Sequence, residues 1–303
     1  KIKIIRLYKN NYYKFLPKGG YIKSRTSYLI IFFLNFFKLK NLINTKKPEF
    51  LIIHLMTSLP IFLTLFFRSN TKIILRLSGL PKLNILRYLF WRFFSSKIYK
   101  VTCPTIDTYN DLIKKGIFDK EKLCILRDPV LKLKDFASKK FKVIQKTKIN
   151  HTTYMMGIGR LTKQKNFNLL INGFNQIQKQ FKEYELVIIG EGEEKKELLK
   201  LIKSLELEEK IHLLGFTNNV YKYLRKADCF ILSSLWEDPG FVLIEAGLSN
   251  TTVISSDCNN GPKEILQGGK NGYLFKNNSL NNFFEKFKEF KNEEKSKILL
   301  KKI

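Results

Sequence analysis

Short apolar runs of strand length alternate along the chain with longer stretches whose apolar positions recur at helical spacing. In the first half the strand-like runs are Ile2–Leu7, Phe50–His54, Lys72–Leu75, Ile98–Thr102 and Leu123–Leu126. Helices are expected between them, over Tyr28–Ile43, Leu59–Phe67, Leu83–Phe94 and Asp107–Lys115. The second half repeats the rhythm. Its strands are expected at Thr152–Ile158, Glu185–Ile189, Lys210–Leu214, Asp228–Leu232, Thr252–Ser255 and Gly272–Phe275. Its helices fall at Asn166–Lys179, Glu194–Leu205, Phe241–Leu248 and Leu280–Phe290, and a charged tail from Asn292 to Ile303 reads as an exposed helix. Such alternation, joined by short turns, implies an α/β chain of parallel, doubly wound sheets. A length of 303 residues exceeds one compact core, so two domains are expected. The polar, lysine-rich stretch 132–149 reads as a linker between residues 1–131 and residues 150–303.

One stretch concentrates candidate chemistry. The apolar run Asp228–Leu232 passes through Glu237-Asp238-Pro239-Gly240, a turn composition, into the helical run from Phe241. Glu237 and Glu245 bracket this loop, one at its mouth and one two turns into the helix. The amides of Gly240, Phe241 and Val242 fall at a helix start, where free N–H groups suit phosphate or sugar oxygens. A carboxylate accepts paired hydroxyl donors, so Glu245 suits a ribose diol and Glu237 a sugar. From spacing alone, two solvated glutamates on a strand–loop–helix explain the pattern equally well. Gly190-Glu191-Gly192 lacks the third glycine of a dinucleotide fingerprint, which argues against a nicotinamide site.

Three segments together carry a family resemblance: Gly157-Ile158-Gly159-Arg160-Leu161-Thr162-Lys163-Gln164-Lys165-Asn166, then Glu237 to Ala246 with Pro239-Gly240-Phe241-Val242-Leu243-Ile244-Glu245-Ala246 inside it, then Ser256-Asp257-Cys258-Asn259-Asn260-Gly261-Pro262-Lys263-Glu264-Ile265. In order and spacing they resemble the family-4 retaining glycosyltransferases, from about residue 50 to 290 and most strongly after 150. The resemblance implies the GT-B architecture, two Rossmann-like domains facing a cleft. It implies that Arg160 and Lys165, with Gly240, Phe241 and Val242, bind the donor diphosphate. Glu245 would hold the ribose, Gly215-Phe216 would lie beside the base, and Glu237 would contact the donor sugar. His54, ending a strand after Pro48-Glu49, would lie near the anomeric centre, making Glu237 and His54 the catalytic candidates. The function implied is transfer of a sugar from a UDP- or GDP-sugar to a hydroxyl of a glycan or lipid-linked acceptor, with retention, in cell-surface polysaccharide, lipopolysaccharide or glycolipid synthesis. Arginine and lysine stabilise a departing diphosphate without a metal, so neither cofactor nor metal is expected. The family's opening strand and Gly-rich loop have no counterpart around Gly19-Gly20, so the first domain is expected to be incomplete. A nucleotide-sugar epimerase of the same architecture and a non-catalytic polyanion-binding protein remain as rivals.

Charge adds a partner. The chain carries a formal +29, and residues 1–150 hold 32 Lys+Arg against 7 Asp+Glu, whereas residues 151–303 hold 23 against 19. A basic first half suits an anionic membrane surface, although a lysine-rich composition gives the same count. No nucleic-acid module is visible, so nucleic acid is not expected as a partner. Tyr28–Phe37 is too short to span a bilayer and Leu51–Phe67 is interrupted by His54, Ser58 and Pro60, so no spanning helix is expected. Cys103, Cys124, Cys229 and Cys258 have no metal-type spacing, and His54, His151 and His212 form no cluster with them. Buried free thiols in a reducing compartment follow, with the protein cytoplasmic and peripheral on the cytoplasmic face of the membrane.

Overall fold

The computed structural model describes residues 5, 7, 16–17, 21–66, 70–128, 133–141 and 153–293. The strand expected over Ile2–Leu7, the Gly19-Gly20 turn, His151, residues 142–149 of the linker and the tail beyond residue 293 lie wholly or largely outside them. The described chain divides into two compact units. One runs to Pro104 and resumes over Tyr109–Leu126; the other holds Thr105–Thr108 and the chain from Arg127 onward.

In the first unit α1 (Tyr21–Lys46) precedes β1 (Phe50–His54), α2 (Ser58–Leu63), β2 (Lys72–Arg76), α3 (Ile85–Phe94), β3 (Ile98–Cys103), α4 (Ile106–Lys115, whose first residues through Thr108 belong to the second unit) and β4 (Leu123–Ile125). The strands form one parallel sheet in the order β1-β2-β3-β4, with Ile53 opposite Leu75 and Leu75 opposite Val101. Ile73 and Leu75 point into a core shared with Trp91, Phe94 and Leu112 of the helices. The first helix is longer than its apolar run predicts. Its polar residues bond back to the preceding turn: Thr26 Oγ1 to the Lys23 carbonyl (2.9 Å) and Asn35 Nδ2 to that of Ile31 (2.7 Å). They therefore leave the helix unbroken. Arg25–Lys46 runs 22 residues and holds an 18-residue window of mean hydropathy 1.2, so it is long and apolar enough to cross a membrane, which corrects the reading of Tyr28–Phe37 as too short. One side of the helix, with Phe32, Phe36 and Ile43, packs on Leu59 and Leu63 of α2.

The second unit opens with α5 (Leu133–Lys140), a helix where a linker was expected. It continues through β5 (Tyr154–Ile158), α6 (Phe167–Gln178), β6 (Glu185–Ile189), α7 (Lys195–Ser204), β7 (Ile211–Gly215), α8 (Tyr221–Leu224) and β8 (Cys229–Leu232). It closes with α9 (Val242–Leu248), β9 (Thr252–Ser256), α10 (Pro262–Ile265), β10 (Tyr273–Phe275) and α11 (Leu280–Asn292). Six parallel strands lie in the order β10-β9-β8-β5-β6-β7. Alternate residues of each strand feed two cores. Met155, Leu186, Cys229 and Ile254 face α6, α7 and α11, while Met156, Val187, Phe230 and Val253 face α8 and α9. Strands buried on both faces read as continuous apolar runs, which is why β6 and β8 stood out in the sequence. All four cysteines are free, and burial pushes the Cys103 thiol up to about 12 and that of Cys258 up to about 11.

Candidate functional site

The strand order of the second sheet turns at β5 and β8: β5 continues to β6 and β7, β8 to β9 and β10. Loops leaving the carboxyl ends of two such strands diverge and open a crevice, the usual place for ligands in parallel sheets. Lys165 stands on the loop after β5 and Glu237 on the loop after β8. Their side chains meet there, Nζ to Oε1 at 2.6 Å, although 72 positions apart. Ser234 Oγ donates to the same Oε1. Glu237 is only 3% exposed, so the lysine ammonium compensates the water its carboxylate gives up. The two loops are laced by Ser233 Oγ to the Lys165 carbonyl (2.9 Å), Leu235 N–H to Gln164 O (2.8 Å) and Gln164 Nε2 to Trp236 O (3.0 Å).

Arg160 lies on the same β5 loop with its side chain exposed. Its loop runs along the Gly190-Glu191-Gly192 turn, with Gly159 N–H donating to Ile189 O (3.0 Å) and Leu161 N–H to Glu191 O (2.9 Å). A Cβ on Gly190 would stand 1.8 Å from the Gly159 carbonyl oxygen. The glycine therefore serves this close approach.

After Glu237 the chain turns through Gly240 into α9. The first bonds of that turn run from Leu243 N–H to Gly240 O and from Ile244 N–H to Phe241 O, both 3.0 Å. The amides of Gly240, Phe241 and Val242 precede this ladder, where helix-start donors have no intrahelical acceptor. Glu245, half-buried on α9, accepts from the Tyr221 hydroxyl at 3.1 Å. Burial pushes its carboxyl above the usual range, and the Tyr221 bond opposes that shift. The Phe136 ring of α5 stands edge-on to Tyr221 with centroids 5.0 Å apart. Gly215 ends β7 and hands the chain to Phe216, whose side chain is exposed. His54 belongs to the first unit, where Nδ1 lies 3.3 Å from the Arg76 carbonyl oxygen, a contact suited to the Nδ1–H tautomer. Among the described residues no group of three His, Cys, Asp or Glu side chains is placed to hold a metal ion.

Sequence reasoning missed three residues around these side chains: Ser234, Tyr221 and Asn260. Asn260 is fully buried with φ +72. Its Nδ2 donates to the Glu237 carbonyl (2.9 Å) and to Asp238 Oδ1 (3.1 Å). Its Oδ1 accepts from the hydroxyls of Thr105 and Thr108, the latter at 3.0 Å, and its N–H donates to Asp107 Oδ2 (2.9 Å). Beside it, a Cβ on Gly261 would stand 1.9 Å from the Pro239 carbonyl oxygen. Glu264 accepts from Ile106 N–H (2.8 Å) and from Arg127 Nη2 (2.6 Å). Ser234 and Asn260 sat inside segments already singled out, but no local pattern marks the pairings they make.

Comparison with known proteins gives the setting. The chain is 43% identical over 111 residues to an uncharacterized glycosyltransferase of Methanocaldococcus jannaschii, covering 37% of this chain and 27% of that protein. It is 39% identical over 142 residues to the N-acetylgalactosamine-N,N'-diacetylbacillosaminyl-diphospho-undecaprenol 4-alpha-N-acetylgalactosaminyltransferase of Campylobacter jejuni, covering 47% of this chain and 38% of that protein. The chain thus spans well under half the length of either relative. Anabaena HepE in complex with UDP superposes with a TM-score of 0.68 at 16% identity, over 85% of this chain and 72% of that one. The two parallel sheets and this likeness give the fold as GT-B. Residues 139–302 match the family described as glycosyl transferases group 1, more than half of the chain, and the protein belongs to that family.

Proposed function

We propose that the protein transfers a sugar from a nucleotide-sugar donor to a hydroxyl of a glycan or lipid-linked acceptor, retaining the anomeric configuration. The observation that carries this reading is the meeting of Lys165 and Glu237 at the turn of strand order, one helix start ahead of Glu245. Arg160 and Lys165 bind the diphosphate, aided by the amides of Gly240 to Val242. Glu245 holds the ribose, and Gly215 with Phe216 flanks the base. As the bond between the anomeric carbon and the diphosphate breaks, negative charge gathers on the leaving group, and the two cations stabilise it without a metal. Glu237 holds the sugar while its anomeric carbon gains positive character. The acceptor oxygen bonds that carbon from the departing side, and its proton passes to a phosphate oxygen. His54 is assigned to the sugar by the family resemblance alone.

UDP is the nucleotide bound in Anabaena HepE, and the name of the Campylobacter relative specifies a diphospho-undecaprenol acceptor. Both support a UDP-sugar, or its GDP counterpart, and a lipid-linked glycan. A membrane-facing role is supported by α3. Ile85, Leu86, Leu89 and Phe93 are all exposed there and span about 100° of arc. The helix holds no acidic residue; Arg92 borders the apolar face, and Lys82, Arg87 and Lys97 lie exposed nearby. The test is incubation with UDP- and GDP-sugars and lipid-linked acceptors, following nucleotide release and the anomeric proton coupling of the product. Release with a product anomer matching the donor is expected. Release with the inverted anomer overturns the retaining assignment, and no release with any pair overturns the transfer.

A further inference from the structure

We infer that Asn260 is a positioning residue that holds the Glu237 loop in register for the proposed transfer, an inference that rests on the reading of Glu237 given above. A side-chain amide offers two donors and two acceptor sites, and here all four are used. Both N–H groups go to the loop, to the Glu237 carbonyl and the Asp238 carboxylate. Both acceptor sites take hydroxyls from Thr105 and Thr108. The orientation of the amide follows from its partners. Turned over, its oxygen would face a carbonyl and a carboxylate, neither of which donates. The backbone joins in, because Glu237 N–H donates to Asn259 O (3.1 Å), Asn260 N–H to Asp107, and Trp236 bridges Asn259 as a parallel pair. Glu237 is therefore fixed from two sides: Lys165 and Ser234 hold its carboxylate, while Asn259 and Asn260 hold its main chain.

A buried amide with every bond made is rigid, and removing it strands its partners without water to replace it. Asn260→Asp keeps the shape but sets an oxygen against the Glu237 carbonyl and the Asp238 carboxylate. Asn260→Ala leaves that carbonyl unmatched and takes from the Thr105 and Thr108 hydroxyls the acceptor they share, leaving them only each other and the Thr108 N–H. Either change lets the loop drift while Arg160 and Glu245, anchored elsewhere, stay in place. The kinetic signature should follow Glu237 and not the nucleotide. In both variants kcat falls by about 10-fold to 100-fold, the scale of small misplacements at a reacting centre. UDP affinity should fall far less than kcat, because Arg160 and Glu245 keep their phosphate and ribose contacts while only the Gly240–Val242 amides move with the loop.

The experiment measures kcat, donor KM and calorimetric UDP affinity for Asn260→Asp, Asn260→Ala, Thr108→Val and Thr108→Ser, each alone and combined with Glu237→Gln. The account expects Thr108→Ser, which keeps the hydroxyl, to behave as wild type and Thr108→Val to lose part of kcat. It also expects Asn260→Ala to add little once Glu237→Gln is present, because both act on one step. Equal and independent losses in the two backgrounds, or a lowered melting temperature with unchanged kcat, would overturn the positioning role. A second readout does not depend on turnover: hydrogen exchange at the amides of residues 237, 238 and 240–243 should quicken in Asn260→Ala. Unchanged exchange there overturns the inference even if no donor is turned over, whereas absent turnover with quickened exchange counts against the transfer reading alone.

Discussion

At the scale of single residues, Lys165 and Arg160 share a proposed ligand but not a role in the fold. The Lys165 and Glu237 side chains are 15% and 4% exposed and bond at 2.6 Å; the Arg160 side chain lies in solvent. Removing one partner of a buried pair leaves an uncompensated charge, a loss of roughly 3–5 kcal/mol. Lys165→Met should therefore lower the melting temperature as well as nucleotide affinity, and adding Glu237→Gln should restore part of the stability. Arg160→Ala should weaken diphosphate binding by about 1–3 kcal/mol and leave the melting temperature unchanged, as scanning calorimetry will show. Glu245 makes a pH prediction. Burial raises its carboxyl, so its protonated form persists to higher pH than a free side chain's and accepts poorly from a ribose diol. Nucleotide affinity should rise as pH climbs through that raised value. Folding stability runs the opposite way, fully present below the unfolded value and lost as pH rises through the folded one. Tyr221→Phe removes the bond that opposes the shift and should move the affinity profile to higher pH; an unmoved profile in calorimetry would separate Glu245 from the ribose. The candidates Arg160, Lys165, Glu237 and Glu245 could be named from the sequence because each sits in a short local motif. Ser234, Tyr221 and Asn260 were not, because their partners stand 3 to 155 positions away and only the folded chain pairs them.

At the scale of elements, the alternation of strand and helix was legible because a parallel strand buried on both faces leaves an unbroken apolar run. Strand order was not legible, since nothing local to β5 or β8 says that they are neighbours. That adjacency is what brings the Lys165 loop to the Glu237 loop. The first helix and α5 mark a second limit. Polar side chains that bond back to their own turn extended one helix beyond its apolar run. Within the lysine-rich stretch read as linker, Leu133–Lys140 is a helix whose Phe136 packs on Tyr221 and whose Lys139 carbonyl accepts from Asn219 Nδ2 (3.0 Å). The exposed face of α3 carries the element-scale prediction. Leu89→Glu with Phe93→Glu should lower co-sedimentation with anionic vesicles without changing the melting temperature, because neither side chain is buried. Parent binding should also fall with added salt. Equal sedimentation of the variant and the parent would leave the basic first half as composition alone.

At the scale of the whole molecule, charge and chemistry are divided along the chain. The first half holds most of the positive excess and the exposed apolar face of α3, and the second holds the candidate donor residues. The family membership rests on residues 139–302, the part in which the sequence motifs were clearest. A rival epimerase or a polyanion binder gains nothing from the relatives, whose names describe glycosyltransferases. Ligands that bind only the folded state raise its stability by mass action, so a screen of UDP-, GDP- and ADP-sugars by thermal shift should single out one nucleotide. The most direct test of the donor site is calorimetric titration of that nucleotide diphosphate into the wild-type protein and into Arg160→Ala and Glu245→Gln. The account predicts one-to-one binding to the wild type, weakened about 10-fold or more in each variant, equivalent to about 1.4 kcal/mol. No heat with any nucleotide, or an affinity unchanged in both variants, would contradict it.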